Sequence, residues 1–231
     1  MKKKIFFGIG IVVIFAVVIM ITAFLVLTKS ADTSLTETVV SNSYLEGTWR
    51  IAQRSEQPIS NEYFVFDKNS VSDYRNGQEE AYLSSSYSVL ESGTLSMSDV
   101  SKEFIIEKVS DNILKLIDTE NKEVWSLLRC SGNGLELDQI SEDSLDGDWN
   151  VLFHGGQAVQ GETMTFNNGK FTDYRDGNEE PYLESEYKWN ENGNFIITAL
   201  DREIEVVKTG DNTYGFIETD TGYIWEIEKK S

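Results

Sequence analysis

The residues best suited to chemistry lie in a short segment that occurs twice. Residues 73–87 read DYRNGQEEAYLSSSY, and residues 173–187 read DYRDGNEEPYLESEY. Each copy combines paired glutamates with tyrosines, whose apolar rings and polar hydroxyls suit a recognition surface. The candidate recognition residues are Tyr74, Glu79, Glu80 and Tyr82 in the first copy and Tyr174, Glu179, Glu180 and Tyr182 in the second.

The same segment also has a structural interpretation. Asp73 and Arg75 are two residues apart, so they share one face of a strand, where an ion pair near a barrel rim would satisfy both charges; Asp173 and Arg175 repeat the pair. The glycine after each arginine predicts a turn and a return strand. The sequence leaves the recognition and the structural interpretations open.

Two further chemistries have less support. Acids crowd the second turn, at Asp173, Asp176 and residues 179–180, as in calcium sites, but their spacing does not match an EF-hand loop, and the first copy has Asn76 in place of Asp176. A carboxylate-based hydrolase of envelope substrates needs two paired carboxyl groups, and the sequence sets none in an evident apolar pocket. We therefore predict no enzyme activity, no metal site and no cofactor, and keep the hydrolase as an alternative.

Composition excludes several other sites. The chain has 231 residues with one histidine, His154, and one cysteine, Cys130, so counting excludes an intramolecular disulfide, a Cys/His zinc site and a Cys–His nucleophile in each copy. Cys130 is expected to be a free, semi-buried thiol. With 39 acidic and 20 basic residues the net charge is −19, which repels phosphate backbones. We expect no nucleic-acid partner.

The elements that position these residues belong to a duplicated domain. Alignment of 45–130 with 145–230, without a gap, gives 25 identities in 86 positions, ten of them within 73–87. The joining residues 131–144 carry four acids and no base. We predict two β domains, at 45–130 and 145–231, separated by an acidic linker at 131–144.

The pattern within each copy predicts strands. Apolar and polar residues alternate at period two in short runs separated by glycine turns, and eight strands fit in each copy. Consecutive hairpin-connected strands close naturally into an up-and-down barrel. The predicted fold is all-β, with two tandem eight-stranded antiparallel meander barrels preceded by one transmembrane helix. A small two-sheet sandwich is the alternative for each copy.

Each copy opens on a short motif, LEGTW at 45–49 and LDGDW at 145–149. This opening resembles the Gly-x-Trp start of the lipocalin-like family, as found in small bacterial domains on exported proteins. The resemblance implies structural roles for Gly47, Trp49, Gly147 and Trp149, with each tryptophan closing one barrel end. It also implies that Arg129 and Lys229 pack over these tryptophans. Carriage of a small hydrophobic ligand inside the barrel is an alternative function.

The first residues predict a membrane anchor. Residues 5–27 carry no charge and are predominantly apolar, long enough at about 1.5 Å per residue to span a bilayer core of about 30 Å. A cleaved secretory signal is the alternative, although its apolar region is shorter. Lysines at 2–4 place the tail 1–4 in the cytoplasm, with residues 28–44 as a spacer outside.

Charge follows the same division. Residues 1–29 contain four lysines and no acid, so the remaining residues, with 16 bases and 39 acids, carry −23. The sequence thus predicts a single-pass, Gram-positive cell-surface protein with extracellular domains. Its expected partners are the membrane and an unidentified extracytoplasmic protein or small ligand.

Overall fold

The structure, a computed structural model, describes residues 40–138 and 140–231 and is all-β, with two tandem barrels. In each barrel eight antiparallel strands follow one another in sequence order, and the first strand pairs with the last, which closes the sheet. This closure confirms the predicted barrels and the internal repeat, and it rules out the two-sheet sandwich. The architecture fits that of lipocalin-like domains.

Barrel 1 consists of eight main strands and one two-residue strand, β2. Their bounds are β1 Gly47–Arg54, β2 Gln57–Pro58, β3 Glu62–Asp67, β4 Ser70–Arg75, β5 Leu83–Val89, β6 Thr94–Met97, β7 Lys102–Lys108, β8 Ile113–Asp118 and β9 Val124–Cys130. A one-turn helix, α1 (Asn42–Leu45), precedes β1, and a 3₁₀ turn, Ser98–Val100, follows β6. A two-residue hairpin then connects the barrels, formed by β10 (Gly132–Asn133) and β11 (Glu136–Leu137).

Barrel 2 repeats this order. A second one-turn helix, α2 (Glu142–Leu145), precedes it. Its strands are β12 Gly147–His154, β13 Gln157–Ala158, β14 Thr163–Asn167, β15 Lys170–Tyr174, β16 Leu183–Trp189, β17 Phe195–Ile197, β18 Arg202–Lys208, β19 Thr213–Glu218 and β20 Ile224–Lys229.

Large side chains fill the barrel interiors. In barrel 1, Phe66 meets Tyr87 edge to face with ring centroids 5.0 Å apart, and Trp125 packs 5.2 Å from Phe104. In barrel 2, Phe195 and Phe216 pack in the same edge-to-face manner at 5.2 Å. Alternation along each strand directs these rings inward.

The helix and the Gly-x-Trp motif occupy the same end of each barrel, here called the helix end. Trp49 Nε1 donates a hydrogen bond to the carbonyl of Leu45, 2.8 Å away, which ties α1 to the barrel. The Arg129 guanidinium lies 4.2 Å from the Trp49 ring centroid, as the resemblance implies. Gly47 has φ +117°, a conformation that side chains rarely adopt.

The helix end of barrel 2 is built in the same way. Trp149 Nε1 donates to the Leu145 carbonyl at 2.7 Å, and Lys229 Nζ lies 5.3 Å from the Trp149 ring centroid. Gly147 has φ +126°, and a Cβ there would stand 3.3 Å from Lys229 Cε. Glycine is therefore needed for its backbone conformation, and its lack of a Cβ leaves room for the lysine side chain.

The two barrels pack side by side through an apolar cluster. Its buried members are Ala52, Ile113, Leu128 and Cys130 from barrel 1 and Val207, Ile217 and Ile224 from barrel 2. A register shift in β1 between Ile51 and Gln53 accompanies the burial of Ala52 against barrel 2. Leu128 fills the space above Gly215, where a Cβ would come within 2.2 Å of a leucine methyl carbon.

Polar contacts complete this interface. Arg50 is 1% exposed and donates from Nε and Nη2 to the two carboxylate oxygens of Glu205, at 2.8 and 2.7 Å. Asn112 Nδ2 and Ser110 Oγ each donate to Glu226 at 2.7 Å. The barrels are joined by direct side-chain contacts as well as by the chain that connects them.

Among the described residues, no helix is long and apolar enough to cross a membrane. The segment 5–27, which we predict to be the anchor, lies outside the described residues.

Candidate functional site

The end of each barrel opposite the helix, here called the far end, holds a charged cluster at matching positions. In barrel 1 the cluster consists of Arg54, Glu62, Asp73, Arg75 and Tyr82. Arg54 ends β1, Glu62 begins β3, and Asp73 and Arg75 lie at the end of β4. Register places them together, because Glu62 is paired with Arg75 across β3 and β4.

Asp73 is the buried centre of the barrel 1 cluster, with 2% of its surface exposed. It points inward with Val71, and its Oδ2 accepts hydrogen bonds from Arg75 Nε at 2.9 Å and Nη2 at 2.6 Å. Arg75 Nε also lies 3.2 Å from Glu62 Oε1, which Arg54 contacts as well. Two acids and two arginines thus balance one another's charge.

Tyrosine 82 covers the arginine of this cluster. The Arg75 guanidinium carbon lies 4.0 Å from the Tyr82 ring centroid, and the Tyr82 backbone N–H donates to the Asp73 carbonyl at 2.8 Å. Despite these two restraints, 66% of Tyr82 is exposed. A large aromatic face is therefore held in a fixed position in solvent.

Barrel 2 reproduces this arrangement with one change. Arg175 Nε donates to Asp173 Oδ2 at 2.9 Å, and the Arg175 guanidinium carbon lies 3.8 Å from the Tyr182 ring centroid. Tyr182 is 65% exposed. His154 takes the place of Arg54, with its ring centroid 3.7 Å from that of Trp225 and its Nδ1 3.3 Å from Glu162 Oε1.

Burial perturbs the carboxyl groups of both clusters. Burial raises the pKa of Glu62. The attraction of Arg54 lowers this pKa, and repulsion from Asp73 raises it further, but burial has the largest effect. Burial likewise raises the pKa of Asp173, against the attraction of Arg175. Desolvation disfavours the ionised form of a carboxyl group, and an arginine beside it restores that form only in part.

The structure separates the predicted recognition residues. Tyr82 and Tyr182 join the far-end clusters, whereas alternation along β4 places Tyr74 on the opposite face from Asp73. Tyr174 is related in the same way to Asp173. The pairs Glu79–Glu80 and Glu179–Glu180 lie exposed in the loops between the two strands.

Sequence reasoning missed Glu62 and Glu162. Glu62 begins β3 and Glu162 immediately precedes β14, and each is buried two positions before an inward-facing aromatic or apolar side chain. Their identity across the two copies was a signal that could have found them. These two glutamates, like Asp73 and Asp173, are buried beside arginines rather than in an apolar pocket.

Three surface grooves lie elsewhere on the barrels. One of about 580 Å³ runs between the barrels beside Gln53 and Tyr223, and a second of about 670 Å³ lies beside Tyr63 and Glu203. The third, about 330 Å³, is at the rim of barrel 1 near Lys102. None of the three is lined by the clustered carboxyl groups, which converge on arginines instead.

Comparisons with protein-family models, curated proteins and solved structures give no match for this chain. Within the described part of the chain, no group of three or more His, Cys, Asp or Glu side chains is arranged to hold a metal ion. The repeated clusters at the two far ends are therefore the candidate functional sites.

Proposed function

We propose that this chain is a membrane-anchored, extracytoplasmic binding protein that engages a partner through the far ends of its two barrels. The observation that carries the proposal is the repeated tyrosine. Tyr82 and Tyr182 are exposed to almost the same degree, and each rests on an arginine that a buried aspartate holds in place.

This arrangement has the features of a binding anchor. Exposed tyrosines are enriched at interfaces because a rigid, amphipathic ring buries much area at little conformational cost. The ring's position is set before any partner arrives, by the stacked arginine and by the backbone bond to Asp73 or Asp173. Preorganisation of this kind reduces the entropy lost on binding.

The proposed location rests on the sequence. An apolar segment at 5–27 behind lysines at 2–4 supports a single-pass anchor with a cytoplasmic start, and the charge of −23 beyond residue 29 supports an exported, solvated surface. The absence of cysteine pairs and of a lipid-modified cysteine near the apolar segment suits a Gram-positive cell.

The two alternative functions have weaker support. Carriage of a hydrophobic ligand needs an interior volume, whereas aromatic rings such as Phe66 and Phe104 occupy the barrel 1 core. A hydrolase would use the Glu62–Asp73 carboxyl pair, but both groups contact Arg75 rather than an open cleft. Binding at the rim requires neither a cavity nor a free carboxyl pair.

Site-specific photocrosslinking in intact cells tests the proposal. A benzophenone amino acid replaces Tyr82 or Tyr182 in the full-length chain, and the expected result is an adduct of the same mass from both positions. Leu90, which is also exposed but follows β5 at the helix end, is the matched control position. An adduct of equal yield from position 90, or none from 82 and 182, would refute the proposal.

A binding assay with substitutions separates recognition from folding. Replacement of Tyr82 and Tyr182 by alanine in one chain should abolish the adduct formed by a crosslinker at Glu79, while the melting temperature remains close to that of the parent. Loss of the folded state instead would support the structural interpretation of the segment.

A further inference from the structure

The groove of about 580 Å³ between the two barrels, here called the inter-barrel groove, has the size and place of a ligand site. Barrel 1 forms one wall with strands β1, β8 and β9, and barrel 2 forms the other with the turns at 155–157 and 220–223. Clefts of about 300–1,000 Å³ where two compact units meet are common sites of small-ligand binding. None of the lining residues belongs to the far-end clusters.

Contacts with barrel 1 hold the barrel 2 wall of the groove in position. Gln53 Nε2 donates a hydrogen bond to the Thr221 carbonyl at 2.8 Å. Gly222 lies directly on β1, because a Cβ there would come within 2.5 Å of a backbone oxygen of that strand. The Gly155 N–H donates to the Ile224 carbonyl at 3.2 Å, which joins the two turns. The groove therefore has a fixed shape without a ligand.

Glycines at positions 155 and 156 keep one side of the groove open. In barrel 1 the matching residues, Ser55 and Glu56, have φ +46° and +65°, close to the +59° and +82° of the two glycines. The backbone conformation therefore does not by itself require glycine. Packing does not require it either, because a Cβ at either glycine would have no atom within 4 Å. The missing side chains leave the backbone of this turn accessible to a ligand.

Tyr223 adds an uncovered aromatic ring to the groove. Its exposed fraction is 51%, and within the described part of the chain no ring or cation stacks on it, unlike the far-end tyrosines. Its backbone is nevertheless fixed, because its N–H donates to Thr221 Oγ1 at 3.1 Å and its carbonyl accepts from the Glu218 N–H at 3.0 Å. Barrel 1 has Glu123 at the matching position. The ring is thus a feature of the groove and not of the repeat.

The polar groups of the groove favour an uncharged, hydroxyl-rich ligand. Lys115, the lining base, is already paired with Glu107 at 3.2 Å. Glu56 and Asp220, the lining acids, repel an anion and can accept hydrogen bonds from hydroxyl groups. Gln53 uses one amide hydrogen within the chain, which leaves a second hydrogen and the carbonyl oxygen for a ligand.

The base of the groove is apolar. Ile113 and Ile224 line it and are 3% and 4% exposed. A sugar with an acetamido group suits these surroundings, because its methyl fits an apolar base, its amide pairs with glutamine, and its C–H face packs on a tyrosine ring. An extended peptide suits them less, since it binds an open strand edge, whereas β1, β8, β9 and β20 are each paired on both sides.

We propose that the inter-barrel groove binds a neutral oligosaccharide that carries acetamido groups, with Tyr223 against one sugar face. The inference is independent of the partner surface at the far ends. Barrel 1 has charged side chains where barrel 2 has Gly156 and Tyr223, so each chain holds one such site.

Calorimetric titration of the full-length chain with the tetramer of N-acetylglucosamine tests the inference. We expect saturable binding at one site per chain, with a dissociation constant on the order of 1 mM. The fully deacetylated tetramer has the same sugar rings but amines in place of acetamido groups, and it should bind about tenfold more weakly. Tetra-alanine should give no saturable heat. No saturable binding of the acetylated tetramer, or equal binding of either comparison compound, would overturn the inference.

Substitutions taken from barrel 1 locate the binding. Tyr223→Glu and Gly156→Glu each install the residue at the matching position of barrel 1, and each should weaken tetramer binding by about tenfold. Tyr223→Phe keeps the ring and should retain most of the affinity. Tyr82→Ala, which alters the far end of barrel 1, is the control and should bind the tetramer like the parent chain. Unchanged binding by Tyr223→Glu would contradict the proposal, whatever the stability of the Gly156→Glu variant.

Discussion

Replacement of Glu205 by isoleucine, the residue at the matching position 105 of barrel 1, tests one of the contacts that join the two barrels. Arg50 is almost completely buried, and Glu205 accepts two hydrogen bonds from it. Burial alone would lower the pKa of Arg50, but the hydrogen bonds and charge of Glu205 outweigh it and raise that pKa. Because a guanidinium group keeps its proton in proteins, Arg50 stays charged when its partner is lost.

The expected loss of unfolding free energy follows from the buried charge that the substitution leaves unpaired. Removing one partner of a buried ion pair costs about 3–5 kcal/mol, because the other charge remains buried and unpaired. Arg50 keeps a hydrogen bond to the Ile59 carbonyl at 2.9 Å and a contact with the Ile51 carbonyl. We expect these bonds to hold the loss of unfolding free energy for Glu205→Ile near the lower figure, about 3 kcal/mol.

Urea denaturation of the full-length chain, followed by tryptophan fluorescence, measures this loss. The matched variant is Arg50→Asn with Glu205→Ile, which places on both sides the residues of the opposite copy and leaves no unpaired charge. Its loss of unfolding free energy should be at least about 1.5 kcal/mol smaller than that of the single Glu205→Ile variant, because contacting groups couple by about this much. A single variant within about 0.5 kcal/mol of the parent, a typical surface-substitution effect, would refute a role for this ion pair in stability.

Three further predictions concern other buried groups. Burial raises the pKa of the Cys130 thiol to about 12, so the native chain should react with Ellman's reagent only after unfolding, and fast native reaction would contradict this. Gly215→Ala should cost about 1–3 kcal/mol in urea denaturation by overpacking against Leu128, and its cost should be smaller when it is measured in a Leu128→Ala background. Because the pKa of Asp173 is raised, its contribution to stability is greatest at acid pH and falls as pH rises through the interval above its ordinary pKa. The slope of melting temperature against pH in that interval should flatten in Asp173→Asn, whereas Asp118, whose pKa is lowered mainly by a hydrogen bond from a lysine, loses its contribution as pH falls.

The sequence predicts the barrels well because the strand signal is local. Alternation such as Phe64 with Phe66, and glycine turns between short runs, determine each hairpin, and eight hairpin-linked strands have few ways to bury their inner faces. Chain duplication adds a second, independent instance of the same pattern. The role of Trp49 in closing this end followed from the resemblance of its motif, whereas the short helix that it contacts was not predicted.

The far-end clusters depend on contacts between strands that are distant in sequence. Asp73 and Arg75 are two residues apart and their pairing follows from alternation, but Arg54 and Glu62 meet them only through strand register and barrel curvature. A glutamate at the start of an alternating strand gives no sequence signal of whether it points inward. Identity between the two copies was the only feature of the sequence that pointed to this glutamate, and exposed residues are identical between the copies as well.

The interface between the barrels could not be predicted from the repeat, because most of its contacts are made at positions at which the copies differ. These matched pairs are Arg50 and Asn150, Ile105 and Glu205, Lys115 and Gly215, and Leu128 and Glu228. In each contact the residue from barrel 1 and the residue from barrel 2 occupy different positions in the repeat, so the interface is heterologous.

A heterologous contact between identical units could continue into a third unit or a fibre. Here barrel 2 has Asn150 and Glu228 where barrel 1 has its arginine and leucine, so it cannot offer the same surface to another barrel. The sequence differences between the copies therefore limit this contact to one pair of barrels.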